Sequence, residues 1–151
     1  MTYDSRPDTY AHIQQVQSLL ARAIKNLVER SLAHDQSKLS SPEREAFDEM
    51  TPLLAATTYG SDEYKANLAK IKPAIDHHNA ANSHHPEHHT DGIRGMSLLD
   101  LLEMLLDWKA ATLRHNDGDI LRSVEINQTR FGYSDEVKSI FLNTLRELQC
   151  A

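Results

Sequence analysis

The chain of 151 residues has one cysteine, few glycines and prolines, and no excess of basic residues. The cysteine, Cys150, has no partner for an internal disulfide or a thiolate metal site, so any metal ion would need nitrogen and oxygen ligands. Five glycines and five prolines exclude collagen-like and low-complexity chains. A net charge of −6, from 16 Lys and Arg against 22 Asp and Glu, argues against binding of duplex nucleic acid through a basic face.

Long hydrophobic runs are also missing. The longest apolar stretch, 98–106, is interrupted by Asp100 and Glu103, and the N-terminus is polar, without a hydrophobic signal region. We therefore expect no membrane-spanning or secretory segment, and we expect a cytoplasmic protein. The length and the ordinary apolar content predict one domain over residues 1–151.

Apolar residues recur at intervals of three and four along most of the chain, a spacing typical of amphipathic helices. No segment alternates with period two over a useful length, so we predict an all-α bundle of about six to seven helices. The predicted helices cover 9–31, 42–56, 61–81, 98–114, 119–130 and 135–148, with a short helical turn over 32–38. The predicted N-caps are Ser41, Ser61, Ser97 and Ser134, and breaks are predicted over 57–60 and 116–118.

The largest anomaly in the composition is histidine. Six of the nine histidines fall within thirteen residues, namely His77, His78, His84, His85, His88 and His89. The cluster is internal and interrupted by other residues, unlike an expression tag at a terminus. Extending the apolar positions 68, 71 and 75 by one step reaches His78 and not His77, so His78 shares the buried helix face. His88 and His89 are expected to face solvent, and adventitious binding of nickel or zinc is the simpler alternative for the cluster as a whole.

Other candidate metal ligands lie on separate predicted elements. His12 continues the apolar stripe of the first helix, His34 and Asp35 lie in the short turn, and Asp107 shares one face of the helix 98–114 with two further acidic residues. Imidazole and carboxylate groups suit Fe, Mn, Co, Ni or Zn, and so many ligands favour two divalent ions over one, with Asp35 as the bridge. The alternatives remain a core histidine at position 12 and a solvated acidic face on the later helix.

The order of these residues resembles the HD-domain superfamily of metal-dependent phosphohydrolases. The stretch HDQSKLSSPE resembles the HD-x-x-K...P segment of its HD-GYP branch, and HHPEHHTDGIRG is similar to that branch's HH-E-x-x-D-G-x-G motif. The whole chain, including NSHHPE, DLLEMLLDWKAA and NQTRF, looks most like small uncharacterised HD-type proteins of bacteria and their phages. This resemblance implies an HD-domain-like helical bundle.

The resemblance also implies roles for individual residues. It implies seven metal ligands, His12, His34, Asp35, His78, His84, His85 and Asp107. Lys38 is expected beside the metal site, where it would neutralise a phosphate oxygen, unless it pairs with Glu43 at the surface. Glu103 is a candidate to orient a ligand imidazole or to accept a proton. Arg114 and Arg130 are candidates for substrate contacts.

The function predicted from these features is a metal-dependent phosphohydrolase acting on a small nucleotide-like phosphate ester, with a metal-bound hydroxide as the nucleophile. One alternative is an HD-type di-iron oxygenase, and another is a non-catalytic binding protein in which metal only staples the bundle. The sequence has no Walker loop, no Gly-x-Ser-x-Gly elbow and no cysteine nucleophile, so P-loop and covalent hydrolase mechanisms are not favoured.

Overall fold

A computed structural model describes residues 3–57, 62–114 and 118–150. These residues form six α-helices and no strand, which confirms the predicted all-α fold. The helices are α1 (Arg6–Ala33), α2 (Glu43–Ala56), α3 (Asp62–Ala81), α4 (Leu98–Thr112), α5 (Ile120–Phe131) and α6 (Asp135–Glu147). Short 3₁₀ turns cover Gln36–Leu39, Pro86–His88 and Gly92–Gly95. No helix in this part of the chain is both long and apolar enough to cross a membrane.

The helix ends differ from the predicted ones by a few residues. α1 begins three residues early because Pro7, with its fixed φ, fits the first turn of a helix. α2 begins at Glu43, one residue after the predicted start, and α4 ends at Thr112, two residues before the predicted end. The predicted cap Ser61 and most of the predicted breaks over 57–60 and 116–118 lie outside the described residues.

The chain divides into two compact units, Met1–His34 and Asp35–Ala151. The first unit consists of α1, which has no other helix within that unit to pack against, and none of its residues is buried. His12 is accordingly exposed on α1. A single domain over 1–151 stays a prediction.

The second unit contains two separate apolar clusters. The larger one joins α4, α5 and α6 through Met104, Leu105, Ile120, Val124, Tyr133, Phe141 and Leu145. The smaller one joins α2 and α3 through Met50, Ile71 and Ala74. The histidine-rich segment runs from the end of α3 to the start of α4, so it connects a helix of one cluster to a helix of the other. Ile93 and Met96, near its end, pack against the larger cluster.

A capping box fixes the end of this connecting segment. Ser97 Oγ accepts the backbone N–H of Asp100 at 3.1 Å, and Asp100 Oδ2 accepts the backbone N–H of Ser97 at 2.8 Å. The other carboxylate oxygen of Asp100 accepts the hydroxyl of Ser83 at 2.7 Å. The predicted cap Ser97 is confirmed, and so is Ser134 on α6. Asp100 is buried, so it does not belong to a solvated acidic face and instead ties the loop to α4.

Asp119, which is exposed, is the N-cap of α5. Its Oδ1 accepts the backbone N–H of Leu121 at 2.8 Å and that of Arg122 at 3.2 Å. We expect Asp119→Ala to lower the free energy of unfolding by about 1 kcal/mol, because both amide groups lose their acceptor. Urea denaturation measures this change. A loss within the about 0.5 kcal/mol of an ordinary surface substitution such as Glu147→Ala would contradict the capping role.

Candidate metal centre

Four side chains from three segments of the second unit meet at one point. They are Asp35, which begins the first 3₁₀ turn, His78 near the end of α3, and His84 and His85 in the following loop. One ligand atom from each lies within 4.8 Å of the ligand atoms of all the others. Asp35 Oδ1 and the three Nε2 atoms are shielded from solvent. We call these four residues the His/Asp cluster.

The local backbone explains how two of these side chains reach the cluster. Asp35 has φ of 56°, a left-handed conformation that Asp adopts more readily than most residues. His78 is buried on the inner face of α3, whereas the side chain of His77 is 51% exposed, as the helical stripe predicts.

Glu43, the first residue of α2, lies behind the imidazole of His78. Its Oε2 is 2.9 Å from His78 Nδ1, and the residue is fully buried. Burial alone would raise the pKa of Glu43, but hydrogen bonds with His77, Ser37 and His78 lower it. When His78 Nδ1 donates its proton to this carboxylate, Nε2 carries the lone pair. Nε2 lies 3.1 Å from Asp35 Oδ1.

The imidazole of His84 also has a carboxylate at each of its ring nitrogens. Its Nδ1 lies 3.2 Å from Oε1 of Glu103, and its Nε2 lies 3.5 Å from Asp35 Oδ1. Histidines that bind metal ions typically donate the other ring N–H to a carboxylate or carbonyl, which fixes the tautomer and orients the ring. Two of the three imidazoles in the cluster have that partner.

The charge states of the remaining two groups also suit metal binding. Burial, together with the nearby His84 and His78, lowers the pKa of His85 to about 3, so this imidazole is neutral near pH 7. Burial would raise the pKa of Asp35, but contacts with His78, His84 and the ammonium of Lys38 hold it well below its usual range. A metal ion binds neutral imidazole and ionised carboxylate.

The donor set fits a divalent transition-metal ion. Three imidazole nitrogens and one carboxylate oxygen suit Zn, Mn, Fe, Co or Ni. Bonds of about 2.1 Å place tetrahedral ligand atoms about 3.4 Å apart, and the four donors already lie within 4.8 Å of one another. Nε2 of His78 and Nε2 of His84 lie 3.1 Å and 3.5 Å from Asp35 Oδ1, so a bound cation would take the place of the protons through which these rings contact Asp35.

A family model matches residues 1–148, and it describes a family of unknown function, DUF5662. The chain belongs to this family. No curated protein and no solved structure matches it. The family description names no activity for this DUF5662 chain.

The other predicted ligands of the DUF5662 chain are placed differently. Asp107, half-buried on α4, offers a carboxylate oxygen within 4.8 Å of a ligand atom of Asp35. His12 and His34 belong to the first unit, where His34 follows the last residue of α1. Their roles as ligands, and the second metal ion, stay predictions.

Lys38 contacts the cluster directly. Its Nζ lies 2.6 Å from Asp35 Oδ2, and its side chain is 35% exposed. The alternative that Lys38 pairs with Glu43 at the surface is wrong, because Glu43 is buried against His77, His78 and Ser37. Lys38 therefore contacts Asp35 from a position that is partly exposed to solvent.

The substrate-contact roles of Arg114 and Arg130 stay predictions. α4 ends at Thr112, and Arg114 is exposed in the turn that follows. Arg130 on α5 is paired with Glu87 at 2.9 Å, and both line an open groove of about 700 Å³ with Lys65 and Lys72. No member of the His/Asp cluster lines that groove.

The last two histidines of the segment contact the backbone. His88 is exposed, and its Nδ1 lies 2.6 Å from the carbonyl oxygen of Ala80. His89 is half-buried, with Nε2 2.9 Å from the carbonyl oxygen of Ser83. The expectation that both face solvent is wrong for His89, because the 3₁₀ turns fold its ring against the loop.

Proposed function

We propose that this chain is a metal-dependent phosphohydrolase whose metal ion is held by the His/Asp cluster. The observation that carries the proposal is the convergence of two buried imidazoles, one half-buried imidazole and one ionised carboxylate, with outer carboxylates behind the two buried imidazoles. The HD-domain resemblance, which implies the same four residues as ligands, supports the phosphohydrolase reaction over other metal chemistries.

Residues of the chain would take distinct parts in this reaction. A bound divalent ion supplies Lewis acidity toward a phosphoryl oxygen and activates water. Lys38, beside Asp35 and partly exposed, would donate to a phosphate oxygen of a substrate bound at the cluster. Glu103 is a positioning residue in this account, because it contacts the ring of His84.

The remaining parts of the proposal are predictions from the sequence. The substrate class is a small nucleotide-like phosphate ester, and the location is the cytoplasm. A second ion would use Asp107, whose carboxylate lies close to that of Asp35. Asp35 would then bridge the two ions.

The experiment is a screen of nucleotides and synthetic phosphate esters with metal-free protein supplied with Mn, Co, Fe or Ni. We expect phosphate release that depends on the metal. We expect Asp107→Ala to lose this activity together with the second ion, because Asp107 would hold that ion beside Asp35. The matched control, Asp48→Ala, changes an exposed carboxylate on α2 and should retain both.

Retention of metal and activity in Asp107→Ala would exclude the second ion. Two other results would contradict the phosphohydrolase. Bound metal without turnover in any condition would favour a metal ion that only stabilises the helical bundle. Two bound irons with oxygen consumption and no phosphate release would favour the di-iron oxygenase.

A further inference from the structure

We infer that Glu43 is a positioning residue that fixes His78 for metal binding and sets the affinity of the His/Asp cluster. This inference rests on the proposed metal centre. Sequence patterns did not single out Glu43, since an acidic residue in the first turn of a helix is common at exposed positions. In the structure it is fully buried, which makes its surroundings the feature to explain.

The two oxygens of Glu43 face two consecutive histidines. Oε1 lies 2.7 Å from Nδ1 of His77, whose side chain is half exposed. Oε2 lies 2.9 Å from Nδ1 of the buried His78. The carboxylate thus bridges the outer and the inner imidazole, and only the inner one belongs to the cluster.

A chain of hydrogen bonds holds the inner oxygen in place. The amide of Asn82 donates to the carbonyl of His78 at 2.8 Å and to Ser37 Oγ at 3.0 Å. With its oxygen accepting from Asn82, the Ser37 hydroxyl donates to Glu43 Oε2 at 2.9 Å. The position of Oε2 behind the His78 ring is therefore set by three segments of the chain: the first 3₁₀ turn, α2 and the end of α3.

This geometry has a specific consequence for the metal ion. A buried carboxylate is costly unless its partners compensate it, and the partners here are two imidazoles and a hydroxyl. A carboxylate at Nδ1 keeps the proton there, leaves Nε2 as the donor atom and makes that nitrogen more basic. Nε2 of His78 is buried and lies 3.1 Å from Asp35 Oδ1, so the ring presents this nitrogen to the cluster.

The test compares Glu43→Gln with wild type in titrations of the metal-free full chain with Co²⁺. Gln keeps the volume and one acceptor oxygen but removes the charge. We expect Co²⁺ to bind about 10- to 100-fold more weakly, with a changed visible absorption spectrum. The unfolding midpoint of the metal-free variant should stay close to that of wild type, which separates positioning from a merely structural role. The control Glu45→Gln, an exposed carboxylate on the same helix, should bind Co²⁺ as wild type does.

A second variant keeps the inference testable if Glu43→Gln does not fold. Ser37→Ala removes only the hydroxyl that donates to Glu43, and we expect about 2- to 10-fold weaker Co²⁺ binding. If every folded variant of this pair binds Co²⁺ with wild-type affinity, Glu43 does not position His78, although the metal centre itself is not contradicted. A wild-type chain that binds no Co²⁺ would overturn the centre itself.

Discussion

His84→Gln is expected to remove stoichiometric metal from the chain. The variant deletes a buried donor at the middle of the His/Asp cluster, and it also leaves Glu103 without the ring that it contacts. Loss of an outer partner alone costs about 10- to 100-fold in metal affinity, and loss of a ligand should cost more than that. Elemental analysis after gel filtration, combined with titration of the metal-free protein, measures both the content and the affinity.

The matched control for this variant is His88→Gln. It changes the same residue type in the same segment, but His88 is exposed and its ring contacts a backbone carbonyl. It should bind metal as wild type does. A folded His84→Gln protein with wild-type metal content would contradict the ligand assignment, whereas equal losses in both variants would indicate adventitious binding by the histidine-rich segment.

Asp100→Ala is expected to lower the free energy of unfolding by about 3 kcal/mol. The buried carboxylate accepts hydrogen bonds from the backbone and hydroxyl of Ser97 and from the hydroxyl of Ser83. Removing it opens the capping box of α4 and leaves the donors of exposed Ser97 and half-buried Ser83 without their charged acceptor. Because Ser83 directly precedes His84, metal affinity should fall as well.

Urea denaturation of metal-free protein gives the stability part of this prediction. Asp119→Ala is the matched control, since it removes an aspartate cap at an exposed helix start and should cost about 1 kcal/mol. If Asp100→Ala costs no more than Asp119→Ala, the buried network does not tie the loop to α4.

The helices could be predicted from the sequence because their signals are local. Apolar spacing gave the helix locations to within a few residues, and serine caps placed the starts of α4 and α6. The same spacing separated buried His78 from exposed His77. Each of these inferences depends on residues within one or two helical turns.

The inner architecture of the site depends on contacts between distant segments, and the sequence pattern could not supply it. Glu43 reaches His78 only because α2 packs against α3. Spacing placed Asp100, Glu103 and Asp107 on one face, yet they have three different surroundings: a helix cap, the ring of His84 and the carboxylate of Asp35. The role of each acidic residue on this face of α4 is set by the segment that packs against it.

Arg130 shows the same limit for substrate contacts. The resemblance made it a candidate, but its position depends on the fold of the loop that carries Glu87, and the pair lines a groove that includes no member of the cluster. The spacing of residues along a helix does not predict which residue a long charged side chain will contact.

The measurement that tests the central claim most directly is the metal content of the untagged wild-type chain, purified without added metal. The account predicts at least one transition-metal ion per chain, retained through gel filtration and removed by chelation with a fall in the unfolding midpoint. A folded chain without stoichiometric metal, which also binds none on titration with Mn, Fe, Co, Ni or Zn, would contradict it.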